Sequence, residues 1–351
     1  MIKNTLIKLL YLLTLFSSNC FALPTEKTLT ILNWEDYLSQ QVIDKWYLET
    51  GVKIEQVLFD NDEKRDHILN TGAGIDIVII DEVSGHHFMK QKMLASWSPG
   101  TISNSKYIEE LWLNQCSDNS IPYFWGTLGL AYRSSKIAPP TSWKNILYPN
   151  DELYSRIMMM DDTSDLLLPS LFIRNASIST VTTHTLKDIY NELKQQSKFV
   201  HSYNYPISYF IGNPNDNNIY ITMAYSGDEE TLNKKSSFSD WKFITPKEGS
   251  IVWVDCLSVL ESSKNKELAF RFINFLQRPD IALLNTLDLK NNPTNASVSK
   301  QLLLLNDNWG ASLPTSKVMN LSQEYTYEDI NNKYIRKRIT ESIIKYHEEN
   351  N

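Results

Sequence analysis

The sequence predicts an α/β protein of two domains, on three observations. Short, nearly continuous apolar runs alternate with amphipathic helical patterns from the start of the mature chain, the order expected for an α/β layer architecture. The chain has 351 residues, more than one hydrophobic core usually supports. Hydrophobic residues make up 42% and charged residues 21%, with 11% aromatic, which excludes a largely disordered chain.

Each element follows from its local pattern. Leu29 to Asn33 is a short apolar run that reads as a buried strand. From Ser39 to Thr50, Val42, Ile43, Trp46 and Tyr47 fall on one helical face, and Gly51 is a C-terminal stop. Val52 to Leu58 alternates like a second strand, and a charged helix follows around Lys64 to Leu69. Ile75 to Ile80 suits a parallel strand covered on both faces. Ile121 to Tyr132 is long, aromatic and β-prone, with glycines inside, so it could leave one domain and enter the next. Pro139-Pro140 breaks the chain before a short helix at Ser142 to Leu147. The second α/β region spans about Arg156 to Phe243, with a helix at Leu186 to Gln195 and a strand at Ile219 to Tyr225. A strand near Ile251 to Leu260 precedes a helix from Asn265 to Leu276, which Pro279 is expected to end. The tail from about Asn331 is charged and helical. No internal repeat or low-complexity tract is visible.

The first 22 residues read as a secretory signal peptide. Lys3 and Lys8 flank or interrupt a run that becomes apolar from Leu9 to Phe16, and small residues lead to Ala22. The apolar stretch is short for a membrane span. Ser18-Asn19 before Cys20 is a poor match to a lipobox, so cleavage after Ala22 is expected in preference to lipidation. No later segment is apolar enough to span a membrane, which places the mature protein in the periplasm. The net charge is −7; without the signal peptide 32 basic and 41 acidic residues remain, a charge of −9. That balance disfavours nucleic acid or an anionic membrane as partner and is compatible with a cationic ligand. Cys116 and Cys256 lie far apart in sequence, which says nothing of their proximity. Two separate buried thiols are the simpler expectation. The chain has neither a CxxC pair nor an HExxH motif, so no metal and no cofactor is expected. His86 and His87 are adjacent and read as part of a surface helix.

Acids and aromatic residues recur together at predicted strand ends. Trp34-Glu35-Asp36-Tyr37 follows the first strand and Asp81-Glu82 the third. Asp161-Asp162-Thr163-Ser164-Asp165 follows the apolar run Ile157 to Met160, Tyr225 precedes Ser226-Gly227-Asp228, and Trp253-Val254-Asp255 ends or interrupts a strand. In open α/β sheets ligands bind beyond the carboxyl ends of the strands. Carboxylates neutralise ammonium groups, and aromatic faces attract cations and cover methylene chains. A flexible aliphatic chain with several ammonium groups suits this mixture. Taken singly, each cluster is more often structural, because acids after a strand commonly cap the next helix.

Seven segments, in order, resemble the spermidine/putrescine-binding proteins of bacterial ABC importers. They are Asn33-Trp34-Glu35-Asp36-Tyr37, Ile121-Pro122-Tyr123-Phe124-Trp125-Gly126, Thr141-Ser142-Trp143, Asp161-Asp162, Pro246-Lys247-Glu248-Gly249, Trp253-Val254-Asp255, and Ala269 to Asp280. The resemblance reaches to about Leu304. It implies a type II periplasmic binding fold: two α/β lobes joined by hinge strands, closing on a ligand in the cleft between them. Lobe one would take residues 29–131 and 254–300, and lobe two residues 135–252 and 303–351. By the same resemblance Trp34 and Tyr37 would wall the cleft beside Asp36. Asp162 would grip an amine, and Asp165 stands where the family often has glutamate, keeping the charge on a shorter reach. Tyr225 would supply an aromatic face where tryptophan is usual. Trp253 would pack on the methylene chain, and Asp255 would bind an ammonium group. Asp81 stands where serine is typical, Val83 where an aromatic is typical in spermidine binders, and Asn291 where tyrosine is typical. Glu35 replaces a small hydroxyl residue. The implied partners are a polyamine and the importer's permease subunits, with the protein a monomer.

Two other functions bear on these residues. The departures at Asp81, Val83 and Asn291 fit a polyamine sensor, or a receptor for another organic cation, on the same frame. A secreted hydrolase would use Asp162 with Asp165, or Glu35 with Asp255, as an acid/base pair. Paired acids are its only support.

Overall fold

The strand Thr28–Trp34 (β1) is built from alternating threonines and large aliphatics, and its Leu29, Ile31 and Leu32 are fully buried. It opens a computed structural model that describes residues 27–34, 37–59, 62–72, 74–305, 313–324 and 330–350. The expected signal peptide with Cys20, and the residues Glu35 and Asp36, lie outside the described residues. Helix Gln40–Thr50 (α1) is capped by the Ser39 side chain and ends at Gly51, whose φ of 69° is the left-handed conformation that glycine adopts without steric cost. Strand Lys53–Phe59 (β2), helix Asp62–Asn70 (α2) and strand Ile77–Asp81 (β3) follow, and β1 runs parallel to both β2 and β3. Helix Glu82–Lys90 (α3) starts directly on the end of β3 and carries His86 and His87, both half-buried.

The 14-residue strand Ser120–Arg133 (β4) belongs to two sheets. Its first half, to Thr127, pairs antiparallel with strand Val252–Val259 (β9), which pairs in turn with β3. Its second half, from Leu128, pairs with strands Ile221–Tyr225 (β7) and Trp241–Ile244 (β8). Strand Ile157–Met159 (β5) lies parallel to β7 and to strand Val200–Tyr203 (β6). The path of strands is therefore β2-β1-β3-β9-β4-β7-β5-β6. Two hydrophobic cores sit on either side of the change of sheet. One gathers Ile31, Val42, Trp46, Phe124 and Phe272; the other gathers Leu130, Trp143, Leu171, Ile189 and Ile343. Trp253 packs against both.

The chain crosses between the two cores a third time. Val252 donates its N–H to the Gln323 carbonyl, and the Gln323 N–H donates to Ser250. The Gln323 side chain bonds the backbone of Ile178 and Ala176. The final helix, Ile330–Asn350, then packs Ile339 and Ile343 on the second core.

Two expectations are corrected. Cys116 and Cys256 are not separate thiols: they form a disulfide, with Cα atoms 6.0 Å apart. Pro279 does end helix Lys266–Leu276, but it also occupies the first turn of helix Pro279–Leu289, where its missing N–H costs nothing.

Candidate functional site

Where the two cores meet at Trp253, the first core presents the ends of β1 and β3 and the first half of β9. The Trp34 ring lies 4.2 Å from Phe59, centroid to centroid, and is half-buried. Tyr37 donates its hydroxyl to Asp255 Oδ2 at 2.5 Å. Its backbone carbonyl accepts from the Tyr123 hydroxyl, which in turn accepts from Asn285 Nδ2 at 2.6 Å. Asp255 is the register partner of Asp81 across β3 and β9. Directly opposed residues of an antiparallel pair project from the same face, about 5 Å apart at Cβ, and like charges there repel. Asp81 is relieved in two ways: its Oδ1 caps α3 by accepting from the Ser84 N–H, and its Oδ2 lies 3.3 Å from Arg65 Nη1. Behind the pair, the buried Glu82 accepts from the Val254 N–H at 3.1 Å. Burial, then the charge of Asp81, holds the Glu82 carboxyl well above the usual carboxylate range.

The opposite wall comes from the second core. Asp162 is exposed and folds its own turn, accepting from the N–H groups of Ser164 and Asp165. Asp165 is buried and accepts from the Tyr225 hydroxyl at 2.5 Å. The Tyr225 ring stands edge-on to Trp253 at 6.2 Å. Tyr205, 6.4 Å from Tyr225 between centroids, donates to Asp228 Oδ1 at 2.8 Å, and the Tyr225 N–H donates to Asp228 Oδ2. Trp253 brings the two sides together by packing against both cores, and burial first, then Asp255, with smaller effects of Tyr123 and Tyr205, raises the Tyr37 phenol well above its usual range. Gly126 makes this approach possible. A Cβ there would fall 2.3 Å from Ser226 Oγ and 2.4 Å from the Trp253 ring. Asn291 meets the turn after β7 from the other side: a Cβ on Gly227, which has φ 100°, would lie 2.8 Å from Asn291 Oδ1. Val83 is half-buried in the first turn of α3.

Trp34, Tyr37, Asp81 and Asp255 thus share one wall, Asp165 and Tyr225 the other, and Trp253 sits where the cores meet. Asp162 stands at the exposed rim of the second wall, engaged with its own turn. Residues 74–313 match the family model described as bacterial extracellular solute-binding protein. A norspermidine sensor of Vibrio cholerae is 33% identical over 260 residues, 73% of this chain and 72% of that protein. The chain belongs to the bacterial extracellular solute-binding proteins. The spermidine/putrescine-binding periplasmic protein of Escherichia coli is 27% identical over 264 residues, 73% of this chain and 74% of its own. Among solved structures, the spermidine/putrescine ABC transporter substrate-binding protein of Streptococcus pneumoniae aligns with a TM-score of 0.78. That alignment covers 92% of this chain and 99% of the other at 24% identity, and it supports the type II binding fold. Among the described residues of this solute-binding protein, no helix is long and apolar enough to cross a membrane.

Sequence reasoning did not select three acids or phenols that the fold brings here. Glu82 follows Asp81 and is pulled inward because β3 passes directly into α3. Tyr205 carried no acid beside it, and Asp228 was visible only as the end of Tyr225-Ser226-Gly227-Asp228. Its partner Tyr205 lies 23 residues away.

The surroundings of Asp228 give a pH signature. Burial pushes its carboxyl from an ordinary value near 3.8 up to about 7. Between those values the folded state keeps a proton that the unfolded chain has lost, so its contribution to stability falls as pH rises through that window. Asp228→Asn mimics the protonated form and removes the fall. Its melting temperature is expected to match wild type at pH 4 and exceed it at pH 8. A gain of the same size at both values would contradict the assignment.

Proposed function

We propose that this solute-binding protein captures a polyamine of the putrescine/spermidine class between its lobes and delivers it to the permease of an ABC importer. The observation that carries the reading is the pair of Tyr–Asp contacts on facing walls, Tyr37 with Asp255 and Tyr225 with Asp165, with the Trp253 ring between the cores. Each carboxylate would hold one ammonium group, and the ring would cover the methylene chain and add cation–π attraction of about 0.5–2 kcal/mol. Buried charges are tolerable only when paired, which suits a ligand with a cation at each end. Closure would bend the crossing strands near Gly126–Leu128 and Ile251–Val252, with lobe one built from 29–127 and 254–300, short of the expected 131 because Leu128 and Leu130 pack in the second core, and lobe two from the rest. The protein would act in the periplasm as a monomer after cleavage behind Ala22, and as a binding protein in place of an enzyme.

Calorimetry of the mature protein with putrescine, norspermidine and spermidine is the test. Saturable heat and a thermal shift with at least one are expected. Absence of both with every di- and polyamine tried would end the reading.

A second reading keeps the site and changes the receiver. The Vibrio cholerae relative at 33% identity is a norspermidine sensor, which favours a signalling role here. Normal polyamine uptake in a deletion strain, with an altered response to added polyamine, would decide for it.

A further inference from the structure

The lobe-one wall already contains a cation. Arg65, on α2, is 3% exposed at its side chain, and its guanidinium lies over the Phe88 ring at 5.3 Å. One edge meets Asp66 Oδ1 at 2.9 Å, and Nη1 reaches Asp81 Oδ2 at 3.3 Å. Asp81 in turn lies opposite Asp255 in the β3–β9 register and stays partly open to solvent, with 32% of its side chain exposed. Two carboxylates opposed at that spacing would together favour two positive charges, or one very strongly. With Arg65 in place, Asp81 is answered from inside the protein, by a guanidinium and a helix cap. Asp255 bonds the Tyr37 phenol, which brings no charge.

We propose that Arg65 determines specificity by occupying Asp81. This end of the gap then accepts one ammonium group, on Asp255, and gives no advantage to a ligand that carries a second ammonium three carbons from the first. The inference rests on the polyamine reading above. It adds that ligand charge is counted by an internal residue that touches no ligand. Removing the guanidinium would expose Asp81 as a second ammonium seat beside Asp255. Aminopropyl-terminated triamines would gain over diamines.

The test is calorimetry of the mature protein with putrescine and spermidine, on wild type, Arg65→Gln, Asp81→Asn and the double variant. Binding of either polyamine by wild type establishes the underlying reading separately. Arg65→Gln is then expected to shift the ratio of the two dissociation constants toward spermidine by about tenfold or more, a difference of one full charge contact. The shift should vanish in Arg65→Gln/Asp81→Asn. Asp81→Asn alone, which keeps a capping oxygen, should change either affinity by less than about threefold. An unchanged ratio in folded Arg65→Gln, or a shift that survives in the double variant, overturns the proposal. Should Arg65→Gln fail to fold, Asp81→Asn still decides: a loss of about tenfold or more for putrescine means that Asp81 is itself a ligand contact.

Discussion

Asp255→Asn is expected to weaken putrescine and spermidine binding by about 2–5 kcal/mol, roughly 30-fold to several thousand-fold, while the protein stays folded. The size follows from where the charge sits. Asp255 is 9% exposed, its neighbour Asp81 is engaged by Arg65, and it accepts from the neutral Tyr37 phenol. Among the described residues of this wall, Asp81 is engaged by Arg65 and by its cap on α3, and Glu82 is buried and holds the Val254 N–H, so neither is placed to replace it. An ammonium group brought here would lose its water and find only an amide dipole. Asparagine preserves the shape and still accepts from the Tyr37 hydroxyl, so Tyr37 keeps its position. Taking a negative charge away from the register partner of Asp81 also removes repulsion, so the melting temperature of the free protein should hold or rise. Trp253→Ala should cost less, because it removes apolar cover and cation–π attraction but leaves both charge contacts. Calorimetry with matched melting curves checks the pair. Asp255→Asn binding within about threefold of wild type would remove the ammonium seat from this wall.

How much of this was visible beforehand depends on the range of each signal. β1 and β3 are short apolar runs ending in Trp34 and Asp81, and a strand's end is a local property, whereas Asp255 lies inside β9, four residues before its end. The strand-end acids and rings could therefore be chosen from the sequence, and the fold brings Tyr37 to Asp255 across 218 residues. The double membership of β4 was also legible, because a 14-residue strand with internal glycines is too long for one sheet edge. Partners of those residues were not. Arg65 sits on a polar helix that looks wholly solvated in sequence, yet it is buried under Phe88. Tyr205 precedes Pro206, which reads only as a helix start. Gln323 crosses between the cores by a two-bond bridge too short to leave any periodicity. Pairwise closeness of distant residues has no local sequence signature, and that is where sequence reasoning stops.

The disulfide is the clearest instance, and it carries the second large effect. Cys116–Cys256 closes a loop of 140 residues, and that loop contains β4, the greater part of the second lobe and the first half of the return strand β9. In the chain-entropy account, a loop of this length restricts the unfolded state by about 5 kcal/mol. Cys116→Ala/Cys256→Ala is therefore expected to lower the melting temperature by on the order of 10 °C, measured against oxidised wild type at the same pH. Affinity should behave differently. Cys256 stands next to Asp255 on β9, opposite Pro122 of β4, and both cysteines belong to the first core. The bridge therefore ties together the lobe-one ends of the two long crossing strands and leaves Gly126–Leu128 and Ile251–Val252 free to bend. Once folded, the double variant keeps Asp255 in the β3–β9 register through backbone hydrogen bonds, so polyamine affinity at 20 °C should stay within about threefold of wild type. A large loss of affinity with little loss of stability would place the bridge in the binding motion instead. Two free thiols in the denatured wild-type protein, titrated without reductant, would remove it altogether.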